Sequence, residues 1–480
     1  MPLDKPASYY DPARTRRAFG QYFFLENIYT PLLEYTPDGK LVSAAAEHFE
    51  LRGDDAHFTM RKGLFTAGGH EIDAYDAEAS LKRLFILDRE THGALESALC
   101  GGRRLASLRD ACPGIAVQEG GRTLRLDFAE PRPLIFQTLA AAEFSVIPKS
   151  SIDPATLAIT DYRETSGPYY VDKDAGAGHI TLRANPRHFH YSAAMPQEVI
   201  FVPYDPAAGK SPMQLFLDGS VDHVTTLEKV PCDEMIDFAR ARAGSASLHR
   251  TYPIKLFIVA FTAKGRKALT EQERWATGRA LKAVHNRRVL SRSGYETADQ
   301  ILTLEGTLSE SALKTIERKF AGSGRTPITA KTIIAWDGTG VLFDNAGELA
   351  RELPALKVLK VHKNPNFTDF AKEKLEEPDL YVGGYNVGLQ DDISLMGYHL
   401  SAGTLLPAAG TKEAWLKAYS GEPDKARRFE LMRSLQYDSL EHVVSVPLAT
   451  MPYTALLRKP WGFAMARHLA SNPIWRIRRD

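Results

Sequence analysis

The chain has 480 residues, with 60 Lys and Arg against 59 Asp and Glu, 44% hydrophobic residues and 25% charged ones. That length exceeds one ordinary core, so two or three lobes are expected, each burying its own apolar set. The formal net charge of +1 offers no global field to nucleic acid or an anionic membrane, and the composition is that of a folded globular protein without fibrous repeats.

Taken in chain order, the N-terminus Met1-Pro2-Leu3-Asp4-Lys5-Pro6 has no charged region followed by an apolar stretch, so an export signal is expected to be absent or already removed. Alternating apolar residues at Phe58 and Met60, at Leu124, Leu126 and Phe128, and at Ile180 and Leu182 predict short half-buried strands. Between them, Ala77, Leu81, Leu84 and Phe85 share one face of a helix, with Asp76 placed as its N-terminal cap. Cys100 and Cys112 bracket a Gly-rich segment and either close a small loop in an oxidising compartment or stay as thiols beside Cys232. The run Tyr252–Phe261 suits a strand buried on both faces. Thr270 and Glu273 then form a capping box for a helix reaching about His285, with Ala276, Ala280 and Val284 at four-residue spacing. The basic stretch Trp475–Arg479 reads as a solvated tail. The longest apolar runs, Leu134–Phe144 and Leu256–Phe261, fall far short of the roughly 20 residues that span a bilayer.

Catalytic signatures are missing: the sequence contains no HExxH, no GxSxG, no Walker loop and no complete GxGxxG. Gly176-Ala177-Gly178 leads into a strand pattern and reads as a turn, and His188 with His190, lacking a third ligand in view, reads as two surface histidines rather than a metal site. No pair of carboxylates has a spacing that suggests a glycosidase. A binding protein leaves this kind of record, because a cleft with aromatic walls and a few placed polar groups needs no local motif.

Several stretches, in order along nearly the whole chain, resemble the family 5 solute-binding proteins, the receptors for oligopeptides, dipeptides and nickel. They are Asp11-Pro12 with Asn27–Leu33 and Pro37-Asp38-Gly39; Phe58–Gly63 with Phe65 and Gly69; Asp76–Leu84; and Phe128, Pro131, Pro133 with Val146-Ile147-Pro148. Thr165–Tyr169, Leu182–Pro186 and Asp218–Asp222 follow. The resemblance implies an α/β fold of the periplasmic binding protein type II kind, with two main lobes joined by a hinge plus an extra small lobe. Lobe I would take residues 1–34, 147–245 and 440–480, lobe II 35–146, and lobe III 246–439. It further implies an extracytoplasmic, non-enzymatic receptor of an ABC import system that holds a small-molecule or peptide ligand between two lobes. Such a receptor is expected to be a monomer that delivers to a membrane permease, with neither cofactor nor metal nor nucleic acid. The same fold used as an intracellular ligand sensor, or a secreted hydrolase, are the competing expectations.

The family pattern breaks at one place. Peptide-binding members carry an aromatic residue followed three positions later by an Asp that pairs with the ligand's α-amino group. The matching segment here is Gly384–Asp392, with Tyr385 in the aromatic place and Gly388 where the Asp is expected. A buried ammonium without its counter-charge costs several kcal/mol, so ordinary free-amine peptides are disfavoured unless Asp391 or Asp392 substitutes. Tyr385 and Asn386 are candidates for the wall of the binding site. Tyr22 and Phe23, beside Phe24 and ahead of the first matched helix, and Trp336, next to Asp337-Gly338, are candidates for stacking against ligand.

Overall fold

The computed structural model describes residues 2–3, 11–14, 19–128, 132–174, 179–203, 209–226, 230–292, 294–321, 332–337, 346–360, 377–387, 392–468 and 472–479. The chain divides into two compact units, Met1–Thr251 with Thr454–Asp480, and Tyr252–Tyr453. It leaves the first unit inside the strand Ala246–Phe261 and returns to it inside the strand Ser445–Arg458.

In the first unit, an antiparallel sheet is built from Ala46–Arg52, Asp55–Met60, Thr123–Asp127 and Ile115–Gln118, adjacent in that order. The strand Asp55–Met60 alternates half-buried and buried residues, as its sequence predicts, with Ala56, Phe58 and Met60 turned inward. Those side chains meet Ala77, Leu81, Leu84 and Phe85 of the helix Ala74–Leu87 in one apolar cluster. The helix begins three residues earlier than its sequence pattern suggests. Asp73 is the cap, its carboxylate accepting from the Tyr75 and Asp76 amides, and Asp76 closes the capping box from the third helical position. The next helix, Arg89–Leu99, leads into a disulfide between Cys100 and Cys112, whose Cα atoms lie 4.3 Å apart. Cys232 stays a buried thiol, its Sγ 3.1 Å from Thr454 Oγ1, and burial pushes its pKa up.

A second apolar cluster of this unit joins Phe24, Leu25 and Ile28 to Tyr169, Ile180, Leu182 and Phe201, and to Phe463, Ile474, Trp475 and Ile477 from the end of the chain. The C-terminal stretch is therefore no solvated tail: Ile477–Arg479 pairs antiparallel with Trp461–Phe463, and Trp475 and Arg476 are buried. The physical reason is that Trp475 and Ile477 supply apolar area to the core, while Arg476 spends its charge on the Tyr35 carbonyl. A third cluster gathers Met213, Phe216, Val224, Val230, Met235 and Leu456.

The matched stretches of the first unit turn out to be its joints. Gly167 packs on the chain at Ile28 and Tyr29, where a Cβ would lie 2.3 Å from the Ile28 carbonyl carbon, so no larger residue fits. Beside it, Ser166 Oγ accepts from the Thr30 amide at 2.9 Å and donates to the Val146 carbonyl. Asn185 Nδ2 donates to the Phe65 carbonyl at 2.7 Å. Asp11 receives both terminal nitrogens of the fully buried Arg83, at 2.7 and 2.6 Å, and Arg83 Nε donates to the Leu157 carbonyl.

In the second unit, residues Lys255–Phe261 pair antiparallel with Leu380–Asn386, which pairs parallel with Ile333–Asp337, and that strand pairs parallel with Leu356–Lys360. From Leu256 onward the first of these strands is buried throughout, whereas Tyr252 at its start is half exposed. The helix Glu271–Val289 carries the expected Thr270–Glu273 capping box, and Leu281, Val284 and His285 are buried along it. A second buried arginine stitches this unit: Arg274 donates to the carbonyls of Leu269, His442 and Val443.

Candidate functional site

The strand Leu380–Asn386 carries the two best described candidates, and it presents two different faces. Tyr385 looks toward the helix Asp392–Ala402, where Tyr398 and His399 pack with ring centroids 5.8 Å (Tyr385–Tyr398), 6.4 Å (Tyr385–His399) and 5.4 Å (Tyr398–His399). Burial, then the neighbouring Tyr381 and Tyr398, holds the Tyr385 hydroxyl well above its ordinary pKa. Burial pushes His399 down to about 3, and its Nδ1 lies 2.7 Å from Thr404 Oγ1. Tyr385, Tyr398 and His399 thus make a neutral aromatic wall near neutral pH.

The other face pairs Asn386 with Lys255 and Gly384 with Phe257. Asn386 is buried, Lys255 is partly exposed, and Gly384 is the one exposed residue of an otherwise buried strand. The Lys255 ammonium sits 5.5 Å from the Phe257 ring centroid, and Phe257 in turn stacks on Tyr295 at 5.9 Å and tilts against His285 at 5.5 Å.

The other sequence candidates fall as follows. Trp336 lies in the strand Ile333–Asp337, its backbone in register with Tyr381, which puts Trp336, Tyr385 and Asn386 on adjacent strands of one sheet. Asp392 opens the helix Asp392–Ala402, while Asp391 and Gly388 lie outside the described residues, as do Gly176-Ala177-Gly178. Tyr22 and Phe23 belong to the helix Phe19–Ile28 of the first unit. Their neighbour Phe24 is fully buried, 5.1 Å from Phe201, and so belongs to the core.

His188 and His190 are not surface histidines. They sit on a turn, His188 buried with Nε2 3.0 Å from Thr30 Oγ1, and His190 stacked on Trp475 at 3.7 Å with Nε2 2.9 Å from Glu34. Burial, helped by His190 and Arg61, holds His188 well below its ordinary pKa. Among the described residues, no three His, Cys, Asp or Glu side chains converge as a metal site.

Sequence reasoning passed over Lys255, Tyr398 and His399. A signal was present for the first: within Tyr252–Phe261 it is the one charged residue in a run otherwise apolar or aromatic, and a cation in such a strand calls for a partner.

No protein-family model matches the sequence, and no curated protein matches it. Solved structures do match, over the full length of the chain. The murein tripeptide binding protein MppA of Escherichia coli aligns with a TM-score of 0.73 at 15% identity, covering 100% of this chain and 97% of that one. NikA from Brucella suis, in complex with Fe(III)-EDTA, gives 0.74 at 16% identity with 100% of both chains covered. AgaA from Agrobacterium tumefaciens R10, in complex with agropinic acid, gives 0.67 at 17% identity, covering 100% of this chain and 98% of that one. The likeness runs end to end with three proteins that hold such different solutes, and this chain therefore has the α/β fold of MppA, NikA and AgaA.

Proposed function

We propose that the protein is the solute-binding receptor of an ABC import system, capturing one polar, medium-sized, peptide-like or related solute and delivering it to a membrane permease without a chemical step. The observation that carries this reading is the full-length fold match to MppA, NikA and AgaA. The disulfide Cys100–Cys112 supports an extracytoplasmic location, because such bonds persist where the medium is oxidising. A monomer is the expected state.

The two units correspond in this reading to a main lobe with its small lobe, and a second main lobe. The proposed ligand-facing positions are Tyr22, Phe23, Trp336, Tyr385, Asn386, Asp391 and Asp392. Gly388 in the place of the amine-binding Asp favours solutes without a free α-amino group unless Asp391 or Asp392 substitutes. A thermal-shift screen of the purified chain against peptides, oligosaccharides, amino-acid conjugates and metal chelates tests this, since a ligand of the folded state raises the melting temperature by mass action. A rise with at least one class, at one ligand per chain and with no turnover, is the expected result. No rise across all classes, or conversion of a bound compound, overturns it.

A further inference from the structure

Lys255 is an ammonium without a counter-charge among the described residues. Among the described residues it makes no ion pair and no hydrogen bond, and its only polar contact is with the face of Phe257. Burial alone accounts for the lowering of its pKa, the mark of a charge that has lost water and gained no partner. Other cations of the second unit behave differently. Arg274 is spent on backbone carbonyls, Lys282 on Asp299, and Arg287 on Glu348. Leaving one ammonium unpaired in a packed sheet costs stability, and the surroundings of Lys255 are arranged as if for an occupant. Gly384 interrupts a buried strand with exposed backbone directly opposite Phe257, and a Cβ there would stand 3.3 Å from Lys255 Cε and 3.5 Å from Phe257 Cε1. Any side chain at that position would cover the stem of Lys255 and the edge of the ring.

We propose that Lys255, Phe257 and the bare backbone of Gly384 form a subsite for a carboxylate-bearing solute, the carboxylate on the Lys255 ammonium and an apolar or aromatic portion over Phe257 and Gly384. This rests on the reading of the protein as a solute receptor and names the chemistry of its solute: an acid, whose negative charge rather than an amine is what the protein recognises. An ammonium on a partly apolar floor fits a carboxylate by charge and a single hydrogen-bonded contact, and the adjoining ring selects what lies next to it.

The test uses the full-length chain with its lysines labelled as 13C-dimethyl groups, the Lys255 resonance being identified by its loss in Lys255→Met. The probes are N-acetylphenylalanine, which has a carboxylate and a ring but no amine, and its carboxamide. The expected result is that the acid shifts the Lys255 resonance and binds at least tenfold more tightly than the amide, and that Lys255→Met erases this difference. An acid that leaves the Lys255 resonance unmoved, or acid and amide that bind alike, overturns the subsite. Among the described residues Lys255 makes no hydrogen bond or ion pair for Lys255→Met to remove, so the variant is expected to fold, and its melting curve checks this. The receptor reading fails separately. If the broad screen finds no ligand while Lys255 still answers the acid, the subsite stands and the transport role falls. If a ligand from the screen binds tightly and leaves Lys255 unmoved, the role stands and the subsite falls.

Discussion

Two cations, one enclosed and one partly exposed, frame what single residues do in this protein. Arg83 is entirely enclosed, and its guanidinium is satisfied on both edges by Asp11 and by the Leu157 carbonyl. Arg83→Met is expected to destabilise the chain by about 3 kcal/mol, because it strands the Asp11 carboxylate and an unpaired carbonyl. Adding Asp11→Asn should recover part of that loss, and urea unfolding of the single and double variants measures both. Lys255 is the opposite case. Its folded-state pKa lies below the usual 10.5, so the unfolded chain binds this proton more tightly than the folded one. The charge therefore costs stability at neutral pH, and the cost is relieved as pH rises from the folded-state pKa toward 10.5. Lys255→Met is expected to melt at or above the temperature of the native sequence near neutrality. The gap between the two should close as pH climbs through that window, and a gap that stays constant in pH-dependent melting would sink the assignment. The contrast also explains which residues the sequence made legible. Asp11, Gly167 and Asn185 were readable because joints between segments demand one residue type at one place. Lys255 and His399 were not, because the role of each depends on which strand and helix come to lie beside it.

At the scale of elements, pattern and outcome agree where periodicity is strong, as in the strands around Phe58, Leu124 and Ile180 and the capped helix after Thr270. They part where a tertiary contact decides. Asp76 read as a cap because it precedes the apolar stripe, yet Asp73 takes the cap and Asp76 its reciprocal place. Likewise, charge count alone made the stretch Trp475–Arg479 look solvated, while its two apolar residues, Trp475 and Ile477, draw it into the core. The loop Cys100–Cys112 is tied back by a further joint, in which the Glu96 carboxylate holds Arg89 at 2.8 Å and the Leu105 amide at 2.7 Å. Burial works to raise the Glu96 pKa, and the Arg89 and Leu105 contacts outweigh it and leave it lowered. Closing a loop of 12 residues in sequence stabilises by about 3 kcal/mol through the unfolded state. Cys100→Ser with Cys112→Ser, or reduction of the native chain, should lower stability by roughly that amount, seen as a lower melting temperature in both. If melting is the same with and without reductant, the bond contributes nothing.

For the whole molecule, the arrangement of segments matters more than any contact. The second unit is one continuous stretch, whereas the first is assembled from both ends of the chain. Truncation after Lys459 removes Phe463, Ile474, Trp475 and Ile477 from the cluster that also holds Phe24, Tyr169 and Phe201. That truncation is expected to abolish cooperative unfolding of the first unit and expose it to proteolysis, while protected fragments from within 252–453 persist. Equal protease resistance of full-length and truncated chains would contradict this.

The same feature sets an order of events during synthesis. A growing chain holds every residue of the second unit before it holds the last strand of the first, so the cluster around Phe24, Tyr169 and Phe201 stays incomplete until Ile477 has been added. A protein built this way lacks the finished form of that cluster for as long as its own translation lasts.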